Sequence, residues 1–535
     1  MTELALLLLV AAVGHGLSRA SGIPVIPLLL GLGMLLSVTG LVPHAKDWAP
    51  GSTEDDPSLF VLELGLTVLV FASGIELNPQ RFRRQRRAVV RVGLIQFFAM
   101  GTVGYAAARA FGFAGIEAVY LGFAVSASST IVALRQLQAT QQSFEPHGRM
   151  VIGVLLLQDA LTIAVLVALT HFGGGPASLA AGYGAVLVLA AAAWVLQRRG
   201  ARWIVERCDG DEESLLLATL TVLFVFLGAA HLAGLPLVAG AFLAGYGLSS
   251  FPVSGVVGSL LQSIADFFRA IFLVALGSLV VIPGGEAVAT ALVLAALVVV
   301  LTPPLVTAVA EWTGLTSRTA IESGLLLAQT SEYSLVLGFV GLQLGHLDRD
   351  AFAIIAIMAV VTMTATPFLA RDSVARRLMG LHPLRKRRRG RASDELADHA
   401  LILGLGASGH WVLRPLLAAK IPVLVVDDDP VVIEELDFKG IPCLRGDGAD
   451  EHVLERAGAD RARLIVVSMR RVADVEKVLA HTGGTIPVFA RVFEDEDADR
   501  VRQLGGIPIS NAEAAVDEFH LWFKARFGNA EGETR

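Results

Sequence analysis

The chain has 535 residues, of which 54% are hydrophobic and only 17% charged. Soluble proteins carry about 25% charged residues, so an ordinary soluble protein is excluded. The net charge of −6 conceals strong segregation, which gives no polyanion-binding signature, and nucleic acid is not an expected partner.

Residues 1 to about 380 read as consecutive apolar runs of membrane-spanning length. The opening MTELALLLLVAAVGHG lacks a basic leader, carries Glu3 and is followed by further spans, so it reads as a first membrane helix rather than a signal peptide. Helices are expected near 3–18, 22–43, 58–77, 88–111, 116–137, 148–172, 177–197, 213–232, 235–249, 255–282, 286–312, 319–345 and 351–370. That is about thirteen spans. Arg81, Arg83, Arg84, Arg86, Arg87 and Arg91, then Arg135 and Arg149, then Arg198, Arg199, Arg202 and Arg207, then Arg318 and the tract Leu384–Arg391 all fall on one side under strict alternation. Asp47, Glu54, Asp55, Asp56 and Asp348–Asp350 fall on the other. The positive-inside rule then places the N-terminus outside and the C-terminus in the cytoplasm of an inner-membrane protein.

After the basic linker, 381–398, short β-type runs alternate with amphipathic stretches: ALILGLG, PVLVVDDD, PCLRGD, RLIVVSM and PVFARVF. This alternation predicts a Rossmann-like α/β domain over 399–528 with a short tail, 529–535. The expected architecture is therefore a polytopic all-α membrane domain, 1–380, joined to a cytoplasmic regulatory domain. Cys208 and Cys443 share no metal-type spacing, which argues against a disulfide scaffold, and no tightly bound metal is expected.

Four motifs carry chemistry. Asp159, preceded by Gln158, lies about ten residues from Arg149 and hence roughly 15 Å into the membrane. A carboxylate there is costly and points to function. Burial favours the protonated acid and a bound cation favours the carboxylate, so one Asp can hold either a proton or an alkali cation. Gln158 adds a neutral oxygen suited to a hard monovalent cation. The alternative is a structural Asp paired across helices, but no partner base is evident in neighbouring spans. Ser126, Ser128, Ser129 and Thr130 interrupt the fifth span. Such residues mark either close helix packing or a broken helix lining an ion site. A second polar break, Gln329, Thr330, Ser331 and Glu332, lies in the twelfth span. Paired breaks in two halves predict an inverted-repeat transporter with a midplane site. Glu332 could be a ligand, a proton carrier or a counter-charge for half-helix ends, the last being favoured. Asp266 and Arg269 are expected to pair on one helix face. In the soluble domain Gly404, Gly406 and Gly409 form GxGxxG after a strand, Asp427 ends the second strand and Asp447 the third. This predicts a phosphate at a helix N-terminus and a carboxylate near ribose hydroxyls. A nucleotide-free fold used for dimerisation is the alternative.

Thr102–Ala106 reads TVGYA, close to a potassium-filter string. A filter needs carbonyl loops on re-entrant segments, whereas this string sits inside a continuous apolar span.

Together these residues resemble the Kef-type branch of the monovalent cation:proton antiporter-2 family. The resemblance rests on ELNP (Glu76–Pro79), the Ser128–Thr130 break, Gln158-Asp159, GAFLAGYGLS (Gly240–Ser249) and QTSEYS (Gln329–Ser334). Gln-Asp looks like the ion-binding pair of potassium-type members; Thr330, Ser331 and Tyr333 depart from the family's glycines and Phe. The C-terminal part is similar to a TrkA-type nucleotide-binding domain (TrkA-N), with Asp427–Pro430 matching Asp-x-Asp-Pro. Its glutathione-gated members carry ARAR, but here Ala490-Arg491-Val492-Phe493 lacks the second Arg. The resemblance implies K⁺ (or Na⁺)/H⁺ exchange, a homodimer through both domains, an adenine nucleotide (AMP, ATP or NAD(H)) and an ancillary regulatory protein in some members. A ligand-gated potassium channel and a transport-dead nucleotide sensor are the rivals. No enzyme is expected, because no nucleophile–base pair is present.

Overall fold

The computed structural model describes residues 2–39, 57–77, 85–113, 115–140, 142, 146–208, 211–250, 253–281, 283–381, 398–405, 410–469, 471–492 and 495–510. Asp47, Glu54–Asp56, Asn78–Arg84, the tract Leu384–Arg391, Gly406, Gly409, Phe493 and the tail 511–535 lie outside these residues. The chain divides into one unit of Met1–Thr313 with Ala320–Arg377, and a second of Gly314–Thr319 with Leu378–Arg535.

Every regular element among the described residues of the first unit is a helix. In chain order the helices are α1 (Thr2–Ser21), α2 (Val25–Thr39), α3 (Pro57–Glu76), α4 (Arg86–Ala110), α5 (Gly115–Ser126), α6 (Thr130–Ala139), α7 (Pro146–Thr170), α8 (Gly175–Val195), α9 (Ala201–Cys208), α10 (Glu212–Leu232), α11 (Leu237–Gly247), α12 (Val253–Ser278), α13 (Gly285–Thr313), α14 (Ser317–Leu326), α15 (Glu332–Gln343), α16 (Arg349–Leu369) and α17 (Asp372–Leu381). Helix α14 begins in the short segment assigned to the second unit. The fifth and twelfth expected spans are each two half-helices, α5/α6 and α14/α15. Eight of the described helical stretches are long and apolar enough to cross a membrane, fewer than the thirteen spans expected. Helices α2 and α11 are apolar but shorter. The short amphipathic helices α9 and α17 were not anticipated.

Backbone contact sets two of the crossings. Gly33 of α2 meets Gly277 of α12 so closely that a Cβ on Gly33 would stand 2.2 Å from the Val274 carbonyl oxygen. Gly74 of α3 meets Gly245 of α11, where an added Cβ would stand 2.3 Å from the Phe242 oxygen. In hydrocarbon, helix association depends on such close packing, because lipid is as apolar as Leu.

The second unit contains a six-stranded parallel sheet ordered β3-β2-β1-β4-β5-β6. Its strands are β1 (Ala400–Leu403), β2 (Val423–Asp427), β3 (Cys443–Arg445), β4 (Leu464–Val467), β5 (Val488–Val492) and β6 (Ile507–Ser510), with α18 (His410–Ala418), α19 (Pro430–Phe438), α20 (Glu451–Arg456), α21 (Val472–Thr482) and α22 (Asp495–Gln503) between them. β1 and β2 are buried at every residue, as apolar runs covered on both faces should be. Ala400 pairs with Val423 on one side and Leu464 on the other, so β1 and β4 flank the point where strand order reverses. This is the doubly wound order, and its crevice opens at the carboxyl ends of β1 and β4. The five expected strands are present, and β6 adds an edge that was not foreseen.

Candidate functional site

In the membrane unit, hydroxyl caps start the second half of each broken helix. Ser129 Oγ accepts the Val132 N–H at 3.4 Å at the start of α6, and Ser331 Oγ accepts the Tyr333 N–H at 3.0 Å at the start of α15. These side chains offer the backbone a local alternative to continuing the helix, which is why a serine cluster ends one half and opens the next.

The interruptions satisfy each other. Ser128 Oγ donates to the Leu327 carbonyl at 2.8 Å, Gln329 Nε2 to the Ser129 carbonyl at 3.3 Å, and Ser334 Oγ to the Ala124 carbonyl at 2.7 Å. Thr362 of α16 accepts the Thr330 N–H at 3.1 Å through Oγ1. Carbonyls freed at the broken ends therefore meet donors within protein, as a non-helical segment at membrane depth requires. The positive ends of α6 and α15 lie at the crossing.

Helix α7 brings Gln158 and Asp159 to the same place. Gln158 Oε1 accepts the Ser128 N–H at 3.0 Å, and Thr130 Oγ1 donates to Asp159 Oδ2 at 3.1 Å. Asp159 is wholly buried and its Oδ1 has no partner. Gln329 Oε1 and both carboxyl oxygens of Glu332 are also buried without partners. Burying such oxygens costs free energy unless a ligand, proton or water meets them. Glu332 and Glu76 act on Asp159 through their charge, and Arg269 acts on Glu332. Arg269 Nη1 also pairs with Asp266 Oδ1 at 2.5 Å, as expected for neighbours on one helix face.

Eight residues singled out from the sequence, Ser128, Ser129, Thr130, Gln158, Asp159, Gln329, Ser331 and Glu332, are thus all buried around the two helix breaks. Ser331 serves as a helix cap, and both ends of the Gln158 amide are engaged by protein. Three contributors were missed. Thr362 holds Thr330, Ser334 holds α5, and Gln96 of α4 accepts a hydrogen bond from Gln158 Nε2 while donating to the Ser126 carbonyl at 3.2 Å. Gln96 is a single polar residue in an apolar run, Thr362 is one of three alternating threonines on α16, and Ser334 closes the polar string that begins at Gln329. Thr102–Ala106 lies inside the uninterrupted helix α4, where Thr102 Oγ1 donates back to the Phe98 carbonyl at 2.8 Å; no filter loop forms there.

In the second unit the turn after β1 uses Gly404 at φ +78°, a conformation that favours glycine. Asp427 at the end of β2 accepts the Leu405 N–H at 2.7 Å through Oδ2 and the Asp429 N–H at 2.8 Å through Oδ1. A carboxylate fixed this way stands at the switch point, where the doubly wound fold presents an acid toward ribose hydroxyls. Asp447, after β3, accepts the Ala449 N–H at 3.0 Å and is paired with Arg318 at 2.9 Å. Arg318, in the segment Gly314–Thr319 of this same unit, also donates to Asp474 at 3.0 Å. Asp447 is therefore already neutralised.

Comparison with known proteins agrees with this division. Residues 4–371 match the sodium/hydrogen exchanger transmembrane family, and residues 400–511 match the TrkA-N domain. The glutathione-regulated potassium-efflux system protein KefC of Klebsiella pneumoniae is 26% identical, over 91% of this chain and 80% of its own length. The chloroplastic K(+) efflux antiporter 1 of Arabidopsis thaliana is 28% identical, over 76% of this chain and 36% of its own. Among solved structures, the TrkA-N domain of the Escherichia coli inner membrane protein ybaL is 22% identical, covering 24% of this chain and 98% of that one, with a TM-score of 0.23. The family match spans well over half the chain: it belongs to the sodium/hydrogen exchanger transmembrane family and carries a C-terminal TrkA-N domain.

Proposed function

We propose that this protein is a multi-pass membrane antiporter that exchanges a monovalent cation, K⁺ in preference to Na⁺, for H⁺. One observation carries it: Asp159 lies fully buried on α7, against two broken helices, with Oδ1 unpartnered. A lone oxygen of this kind accommodates a proton on the acid or a cation on the carboxylate, and competition between them couples the two fluxes. Gln329 Oε1, also unpartnered, is suited to complete the cation's oxygen shell. Glu332, at the first position of α15, supplies negative charge against the positive helix end and Arg269. One exchanging carboxylate gives electroneutral one-for-one exchange. The names of the relatives support K⁺ as the cation.

Residues 1–380 form the exchanger and 399–528 the regulatory domain. An adenine nucleotide, AMP, ATP or NAD(H), is the ligand of the second unit, held through Gly404, Gly406, Gly409 and Asp427, with Asp447 at the same sheet edge. The protein lies in the inner membrane as a homodimer with the N-terminus outside and the TrkA-N domain in the cytoplasm. The channel alternative has no support, since the filter-like string is plain helix.

The test is proton flux in inside-out vesicles, read as dequenching of a pH-gradient dye on adding K⁺ and then Na⁺. Wild type should dequench and Asp159→Asn should not, at equal membrane content. Exchange retained in Asp159→Asn would remove the site assignment.

A further inference from the structure

Gln96 lies on α4, 62 residues from Gln158 in sequence, and is 1% exposed. It faces the interruption between α5 and α6. That interruption leaves two groups near each other without helical partners: the carbonyl of Ser126, the last residue of α5, and the N–H of Ser128. Helix ends leave such groups open, and at membrane depth no bulk water takes them.

Two amides close this gap. The Ser126 carbonyl accepts from Gln96 Nε2 at 3.2 Å, and the Ser128 N–H donates to Gln158 Oε1 at 3.0 Å. Between them Gln158 Nε2 donates to Gln96 Oε1. The backbone fixes both amide orientations. A carbonyl can only accept, so Gln96 must present its NH₂ to Ser126; an N–H can only donate, so Gln158 must present its oxygen to Ser128. The remaining ends then match, oxygen to NH₂.

The geometry points to Gln96 as a positioning residue: with Gln158 it forms a two-amide bridge across the α5/α6 break that holds Ser128 and Thr130 in place, so that Thr130 keeps Asp159 Oδ2 and leaves Oδ1 to the transported ion. Gln158 then acts through the backbone of the break, and the cation's oxygens come from Asp159 and Gln329. This inference rests on the exchange proposed above and deepens it.

The bridge is broken by loss of either amide, so the two should behave as one unit. Vesicle exchange is measured for Gln96→Met, Gln158→Met and the double variant, with Asp159→Asn alongside. Each single variant should raise the half-saturating K⁺ and Na⁺ concentrations by the same factor, about tenfold for a lost buried hydrogen bond, with a smaller change in maximal rate. The double variant should be no worse than about twofold beyond the poorer single, because coupled groups are not additive. A purely structural role would lower thermal stability and leave half-saturation unchanged. Wild-type half-saturation in Gln96→Met, additive effects in the double, or a shift of the K⁺/Na⁺ ratio confined to Gln158→Met would each overturn the bridge, the last making Gln158 a ligand. If Gln96→Met fails to reach the membrane, Gln96→Leu replaces it; this variant removes both hydrogen-bonding groups of the amide without adding a charge. It too should raise half-saturation, and unchanged values would refute the bridge. Exchange surviving in Asp159→Asn would instead condemn the underlying site.

Discussion

Asp159 has one oxygen held by Thr130 and one left open, and this asymmetry is what a transported ion can use. A fully paired carboxylate would be a structural element; a fully unpaired one would lack a fixed direction. The same reasoning applied outside the membrane identifies a pH-sensitive residue. His399 is buried just before β1, with its Nε2 2.9 Å from the Ala457 carbonyl. A carbonyl only accepts, so Nε2 carries the proton and Nδ1, buried without a partner, is bare in the neutral ring. Burial pulls this imidazole below its ordinary value of 6.5, and nearby Arg461 adds to the effect, against an opposing pull from the Ala457 carbonyl. The unfolded chain therefore takes up a proton at a pH where the folded chain does not, and stability rises with pH across that window. The contribution is complete above the ordinary value and is lost as the pH falls below it toward the lowered one. Amide exchange in peptides covering Ala400–Leu403 of the full chain should be less protected at about pH 5.5 than at about pH 7.5, after correction for intrinsic rates. His399→Gln should flatten the difference, and equal protection in wild type at both pH values would refute the role.

Helix crossings put different demands on neighbouring residues of one element. On α2, a Cβ at Gly33 would press on the backbone of α12, whereas a Cβ at Gly31 would meet nothing within 4 Å. Gly33→Ala should cost about 1–3 kcal/mol through overpacking against groups that cannot rotate away. Gly31→Ala should be neutral or stabilising by up to about 1 kcal/mol, because alanine is the better helix former. Thermal melting of the detergent-solubilised protein, read as loss of the monodisperse peak, separates the two, and equal melting points would show that the α2/α12 crossing is not rigid. Both glycines look alike in the sequence, because the difference lies in a partner more than 200 residues away. Local features were legible: the apolar runs, the two serine- and threonine-rich breaks, and strands β1 to β5 with their apolar cores. Strand β6 was not, since IPIS is four residues with a proline, which only an edge position tolerates. Gln96 and Thr362 were missed for a related reason. A lone glutamine in an apolar helix, or one threonine among three, carries no local sign of what it faces, and their partners come from α7, α5 and the break before α15.

At the level of the whole chain, charge and hydropathy divide the molecule where its two functions divide. The match to the exchanger family ends at residue 371 and the TrkA-N match begins at 400, with the basic tract between them. Asp159, both helix breaks and Gln96 lie in the first unit, so every group proposed for exchange lies N-terminal to the linker. A chain ended after Leu381 should therefore still exchange K⁺ for H⁺ in inside-out vesicles. A domain that binds a nucleotide changes transport only if the ligand favours one transport state over another, so the response must be carried by residues beyond the cut. The full chain should change its exchange rate with at least one of AMP, ATP, NAD⁺ and NADH, and the shortened chain should respond to none. Loss of exchange in a correctly inserted shortened chain would make the second unit part of the transport machinery. The same nucleotide response in both chains would place the nucleotide site in the membrane unit and overturn the site proposed at Asp427 and the Gly404 turn.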